Sequence, residues 1–278
     1  MNRNNHTTPS GAEFTINNVL RATFFIFSAD SRKYLLLALI ASCMSFLVQR
    51  AFVGDLPIPD DLSSMTEEQS AQMQLFVGHV LMAMAASAVL QVIPVAMMIF
   101  GAMQCFRGYR FTIRESFVAV QPRIPALIGV AVISILLVFV GLSIMVVPGI
   151  LAILFFMPVE AICLIERLGV VASLRRSASL MADVIVCFRT LLIIVVLWAP
   201  TFMATILVNR VFSGSFEIVS GCVVLIDTLW TALFSVTMAV VYFYVVFLKE
   251  NKNSDTIARQ FHWDDSANDT RVDDGDLT

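Results

Sequence analysis

Long stretches of this chain carry almost no charge, and that restricts its fold more than any other feature. In order they cover about residues 34–53, 75–104, 125–147, 150–165, 190–208 and 222–248. About 20 apolar residues in an α-helix cross a hydrocarbon layer about 30 Å thick. Within such a layer each backbone N–H and C=O needs a partner, which leaves helices or closed barrels. Runs of this length point to helices. The predicted fold is therefore all-α: a polytopic membrane protein with six transmembrane helices, residues 14–249 forming the membrane domain. Composition agrees. The 278 residues are 58% hydrophobic and 14% charged, with mean hydropathy +0.84, whereas soluble domains are about 45–50% apolar and about 25% charged.

The segments outside the spans have their own character. Residues 1–13 are polar and are expected to be disordered. From Phe14, the residues Ile16, Val19, Leu20, Phe24 and Phe27 recur at helical spacing, with Asn17, Asn18 and Arg21 opposite and Thr15 placed to cap. This predicts an amphipathic helix, either lying in the membrane interface or packed beneath the bundle. A second such helix is expected between the fourth and fifth spans. Its apolar stripe is Val171, Leu174, Ala178, Met181 and Ile185, with Ser173, Arg176, Ser177 and Asp183 on the polar side. The second span, at about 45 Å, must tilt, kink near Pro94 or project. Pro148-Gly149 is expected to turn the third span back on the fourth as a hairpin. The tail, 250–278, is acidic and is predicted to be disordered.

Charge sets the expected orientation. Arg32 and Lys33 precede the first span, and Arg107, Arg110, Arg114 and Arg123 lie between the second and third. Arg167, Arg175, Arg176 and Arg189 lie between the fourth and fifth, and Lys249 and Lys252 follow the sixth. Arg50 and Arg210 alone fall at the opposite ends. The positive-inside rule then places both termini in the cytoplasm, and with no apolar run before Tyr34 no signal sequence is expected. The arginines, Arg21, Arg114, Arg175 and Arg176 among them, are candidates for contact with lipid head groups. Short matches, Phe14-Thr-Ile with Phe111-Thr-Ile and Leu20-Arg-Ala-Thr23 with Leu174-Arg-Arg-Ser177, suggest three units, each a short helix followed by a membrane hairpin.

Ionisable groups within spans are functional candidates, because their burial in hydrocarbon is costly. Here they are Glu160, two residues after a kink expected at Pro158, and Asp227. Glu160 admits two readings: a proton, cation or head-group site, or a neutral or paired carboxylate holding helices together. Asp227, about a turn and a half into its span, reads mainly as a structural group near the interface. His79 reads as a snorkelling side chain. Ser134, Ser143, Thr201 and Thr205 either line the interior or bond their own helices. The five cysteines, scattered through apolar runs, read as packing residues. The sequence contains no G-x-S-x-G, H-E-x-x-H, P-loop or paired metal-ligand spacing. No enzyme activity, cofactor or metal is expected, and nucleic acid is not an expected partner.

Several motifs together resemble a known family. Val147-Pro-Gly-Ile150, Met157-Pro-Val-Glu160, Leu164-Ile-Glu-Arg-Leu-Gly169 and Ala172-Ser-Leu-Arg-Arg-Ser177 resemble the six-helix membrane domain attached to some bacterial glycerophosphodiester phosphodiesterases. They are similar also to its stand-alone inner-membrane relatives. The opening Phe14-Thr-Ile-Asn-Asn-Val-Leu-Arg-Ala-Thr23 fits the same pattern, and the likeness covers about residues 14–250. Its motif residues here are Pro148, Gly149, Glu166, Gly169, Arg176 and Ser177. Glu166 is placed to pair with Arg175 or Arg176 and to pin the following helix to the bundle. The family's Trp after the Arg-Ser helix is missing, and Asp183-Val-Ile-Val-Cys187 stands there. Nothing after the sixth span matches the phosphodiesterase barrel. The resemblance implies a bacterial inner-membrane location and a lipid or envelope role, not phosphodiesterase activity.

The leading expectation is a non-enzymatic inner-membrane protein that organises lipids or partner proteins in envelope homeostasis. Membrane lipids are its expected partners, with a membrane-protein partner or a homo-oligomer as further ones. The alternative is a transporter or lipid-translocating protein using Glu160, with Pro94 and Pro158 as hinges. A third reading makes the chain a subunit of a larger complex, docked through its acidic tail.

Overall fold

The apolar runs are helices. In the computed structural model, residues 14–53, 67–106, 109, 112–212 and 215–250 are described. The N-terminus 1–13, the acidic loop 54–66, Arg107, Arg110, Phe111 and the acidic tail from 251 lie outside the described residues. The helices are α1 (Ile16–Ala29), α2 (Ser31–Val53), α3 (Glu67–Phe106), α4 (Ile113–Val120), α5 (Ile124–Ile144), α6 (Val146–Phe156), α7 (Val159–Ile165), α8 (Val170–Met181), α9 (Val184–Val211) and α10 (Phe216–Glu250). A short 3₁₀ turn, Gln121–Arg123, joins α4 to α5. Among the described residues there is no strand. Six stretches are long and apolar enough to cross a membrane: Ser31–Phe52, Met73–Phe106, Ile113–Ile144, Val147–Ile165, Val184–Val211 and Glu217–Glu250. The chain is an all-α polytopic membrane protein.

α10 is the axis of the bundle. Its apolar window is 78% buried, against 11% for α9, and it packs on α1, α2, α3, α7 and α9. Between lipid-facing helices no hydrophobic driving force remains, so close packing of small residues and hydrogen bonds hold them. α10 supplies both. Ala232, Ser235, Val236, Thr237 and Ala239 are buried, and the Thr237 hydroxyl lies 3.4 Å from that of Thr23 on α1.

The element order repeats a plan: a short helix, then a membrane pair. α1 leads into α2 and α3, α4 into α5 and the broken α6–α7, and α8 into α9 and α10. α1 begins as expected, the Thr15 hydroxyl accepting from the Asn18 N–H at 3.3 Å. It is packed into the bundle, with Phe14, Val19, Thr23 and Ile26 buried, while Phe24 and Phe25 face outward.

Three local expectations are corrected. The α5–α6 reversal falls at Met145, whose backbone is extended (φ −163°, ψ 157°). Pro148 and Gly149 sit instead in the first turn of α6, where a proline without N–H is tolerated. Gly149 is there for closeness: a Cβ on it would lie 2.9 Å from the Leu142 backbone nitrogen, and one on Gly141 would lie 3.0 Å from the Gly149 Cα. Second, α8 ends at Met181, because the Asp183 carboxylate accepts from the Ile185 N–H at 2.9 Å and starts α9. Ile185 thus belongs to α9 and is exposed. Third, α8 buries Ser173, Leu174, Ser177, Leu180 and Met181, while Val171 is exposed. Leu174 and Met181 of the predicted stripe are buried, but Ser173 and Ser177, expected on the polar side, share the packed face with them.

Pro94 and Pro200 lie inside α3 and α9 without ending them. Pro158 does end a helix: α6 stops at Phe156, and α7 resumes at Val159.

Candidate functional site

One end of the bundle gathers the start of α1, the end of α3, the end of α7, α8 and the end of α10. The contacts that join them are polar. Glu166, at the C-terminus of α7, receives the Arg176 Nε at 3.2 and 3.1 Å and the Tyr242 hydroxyl at 3.0 Å. Arg176 also pairs with Glu250 at the end of α10. Lys249 donates to the Ser179 carbonyl at 2.8 Å, Arg123 to the Arg167 carbonyl at 3.0 Å, and Arg189 to the Phe14 carbonyl at 2.5 Å. Arg175 is exposed and takes no part in the Glu166 pair.

A second regularity lies at the same end. Thr23 on α1 and Ser177 on α8 are each the eighth residue of their helices, and both are fully buried. Two residues earlier stand Arg21 and Arg175, both exposed. α4 repeats the pattern one turn earlier, with Arg114 exposed and Ser116 fully buried. A small hydroxyl residue faces inward in each short helix, and the arginine two positions before it is turned outward by the 3.6-residue period. The Ser177 hydroxyl donates to the Phe155 carbonyl at 2.6 Å, a group left over where Pro158 interrupts the α6 ladder.

The second place where polar groups meet is a cavity of about 250 Å³ between α3, α7 and α10. It joins the two intramembrane carboxylates, Glu160 and Asp227, which lie far apart in sequence. Asp227 lies farther along its helix than the expected start of the span implied. α10 begins at Phe216, so Asp227 lies about 16 Å along it at about 1.5 Å per residue. Gln91 lines the cavity from α3, one turn before Pro94, and Thr231 and Ser235 continue the wall along α10. Among the described residues neither carboxylate forms an ion pair. Gln91, Thr231 and Ser235 were not singled out in the sequence. Gln91, a lone amide in a long apolar run, is the one that a local signal marks.

The other candidates are elsewhere. Ser143, Thr201 and Thr205 donate to carbonyls of their own helices, Phe139, Trp198 and Thr201. His79 Nδ1 lies 2.8 Å from the Leu75 carbonyl, and Ser134 is outside the cavity. All five cysteines are unpaired, with Cys163 and Cys187 buried. Among the described residues no group of three or more His, Cys, Asp or Glu gathers as a metal site would require.

Fold and site together define a class, the multi-pass helical membrane protein with a polar cavity in its bundle. No family model, no curated protein and no solved structure matches the chain.

Proposed function

We propose that this chain is a non-enzymatic protein of the bacterial inner membrane, both termini cytoplasmic, that organises anionic lipids and membrane partners at its basic end. One observation carries the reading: Arg21, Arg114 and Arg175 are exposed at the same end of the bundle, each set by a buried hydroxyl residue on a short helix. Exposed Phe24, Phe25, Phe117 and Val118 follow the first two of these arginines. Apolar side chains that enter the acyl boundary beside arginines at head-group level are the chemistry of an interfacial helix. Each arginine near an anionic surface adds about 1 kcal/mol.

The test is native mass spectrometry of protein extracted from mixed anionic and zwitterionic bilayers. Wild type should retain anionic lipid in preference, and the combined variant Arg21→Gln, Arg114→Gln, Arg175→Gln should lose that preference while still folded. Equal retention would remove the lipid reading, and hydrolysis of glycerophosphodiesters by the purified protein would remove the non-enzymatic one.

The cavity favours a second reading, a transporter or lipid-translocating protein that uses Glu160. Two carboxylates beside a proline-containing helix and a helix broken at Pro158 resemble the discontinuous helices that transporters place around a substrate. Glu160→Gln should then stop flux without reducing expression, and unchanged flux would dismiss Glu160 as the coupling group.

A further inference from the structure

We infer that the cavity between α3, α7 and α10 binds a small organic cation, an ammonium with an apolar or aromatic body, held between Glu160, Asp227 and the ring face of Trp230. This deepens the cavity reading above. It requires binding alone, not movement across the membrane, and is independent of the lipid-organising proposal.

Charge gives the first argument. Two carboxylates inside a bundle, with no ion pair among the described residues, lack compensation in a place where uncompensated charge is costly. An anionic occupant would be repelled, and a neutral one would leave both acids as they are. A cation satisfies them.

Size and ligand number exclude the simplest cations. The cavity measures about 250 Å³, while a single water occupies about 30 Å³ of liquid. Calcium needs about 6–8 oxygen ligands. A bare metal ion would fill little of this space, and among the described residues no group of three or more His, Cys, Asp or Glu gathers to hold one.

The walls give the third argument. Trp230 and Phe234 line the cavity and stack on each other, with centroids 5.1 Å apart and planes 27° apart. An aromatic face within about 6 Å attracts an ammonium, most strongly for tryptophan and more so when water is excluded. Gln91 offers a polar contact on the α3 side. Acids for the charge and rings for the body are together the recognition chemistry of an organic ammonium.

The experiment is equilibrium binding of radiolabelled benzyltrimethylammonium to the full chain in nanodiscs of phosphatidylglycerol. Saturable binding of one probe per chain is expected, displaced by excess unlabelled probe and not by equal sodium or potassium. Glu160→Gln and Asp227→Asn should each weaken it about tenfold or more. Trp230→Leu should weaken it about tenfold, and Trp230→Phe should largely preserve it. Glu217→Gln, an exposed carboxylate at the start of α10 outside the cavity, is the control and should bind as wild type. Displacement by phosphatidylethanolamine would assign the ammonium to a lipid head group, and displacement by free amines alone to a solute; both support the inference. No saturable binding to folded wild type would overturn it, as would unchanged binding in both acid variants or equal displacement by sodium or potassium. Saturable probe binding by a wild type that shows no flux would count against transport and leave this site in place.

Discussion

The Nε of Arg176 lies 3.1 Å from Glu166 Oε2, and Tyr242 donates to the other oxygen of the same carboxylate. Through this pair the last turn of α7 is tied to α8 and to α10. The Arg176 and Glu166 side chains are 28% and 21% exposed, so the pair is partly screened and its strength is moderate. A double-mutant cycle of Glu166→Gln and Arg176→Gln, followed by thermal unfolding in detergent, should give a coupling of about 1 kcal/mol. A coupling near zero would mean that apolar packing alone seats α8.

Glycines should divide sharply in their response to alanine. At Gly149 a Cβ meets the backbone nitrogen of Leu142, and at Gly141 it meets the backbone of Pro148 and Gly149. Backbone cannot step aside as a side-chain tip can, so each substitution should cost about 1–3 kcal/mol. At Gly78 and Gly221 a Cβ meets nothing within 4 Å, and alanine there should raise stability by about 0.5–1 kcal/mol. Melting temperatures of the four variants check this. An equal response at all of them would contradict the close approach of α5 and α6.

Two serines of α8 should differ in the same way. Ser177→Ala strands the Phe155 carbonyl at the Pro158 break and should lower stability by about 1–2 kcal/mol. Ser179 is exposed and bonds its own helix, to the Arg176 carbonyl at 2.8 Å. Ser179→Ala should change stability by less than about 0.5 kcal/mol.

Orientation is open to direct labelling. With the native cysteines replaced, Arg175→Cys and Ser215→Cys lie at exposed positions on opposite ends of α9. In intact spheroplasts a membrane-impermeant maleimide should modify position 215 and reach position 175 only after lysis. The reverse pattern would invert the orientation that the arginines imply.

The spans were legible because the physics of a membrane helix is local: length and absence of charge suffice. The Thr15 cap and the Pro158 break were legible for the same reason, each resting on neighbours in sequence. The inward face of α8 was legible only in part. Of its stripe of Val171, Leu174, Ala178, Met181 and Ile185, Leu174 and Met181 are buried, but in a membrane the packed face also favours small residues that let backbones approach. Ser173 and Ser177 therefore turned inward and Val171 outward. Pro148-Gly149 carries the signature of a turn, yet the glycine answers to Leu142 and Gly141 across the hairpin. Nor does any local signal reveal that Glu160 and Asp227 share a cavity. That meeting depends on how α7 and α10 are rotated against one another, which the two stretches do not encode separately.

The packing of α1 against α10 has a consequence for biosynthesis. The rings of Phe14 and Tyr244 meet at a tilt, and Thr23 meets Thr237, so α1 is completed by the much later α10. At about 5–20 residues per second, those partners emerge roughly 10–50 s apart. For that interval α1 must wait, its inner face held by lipid or by the insertion machinery, and the bundle closes only once α10 has been made.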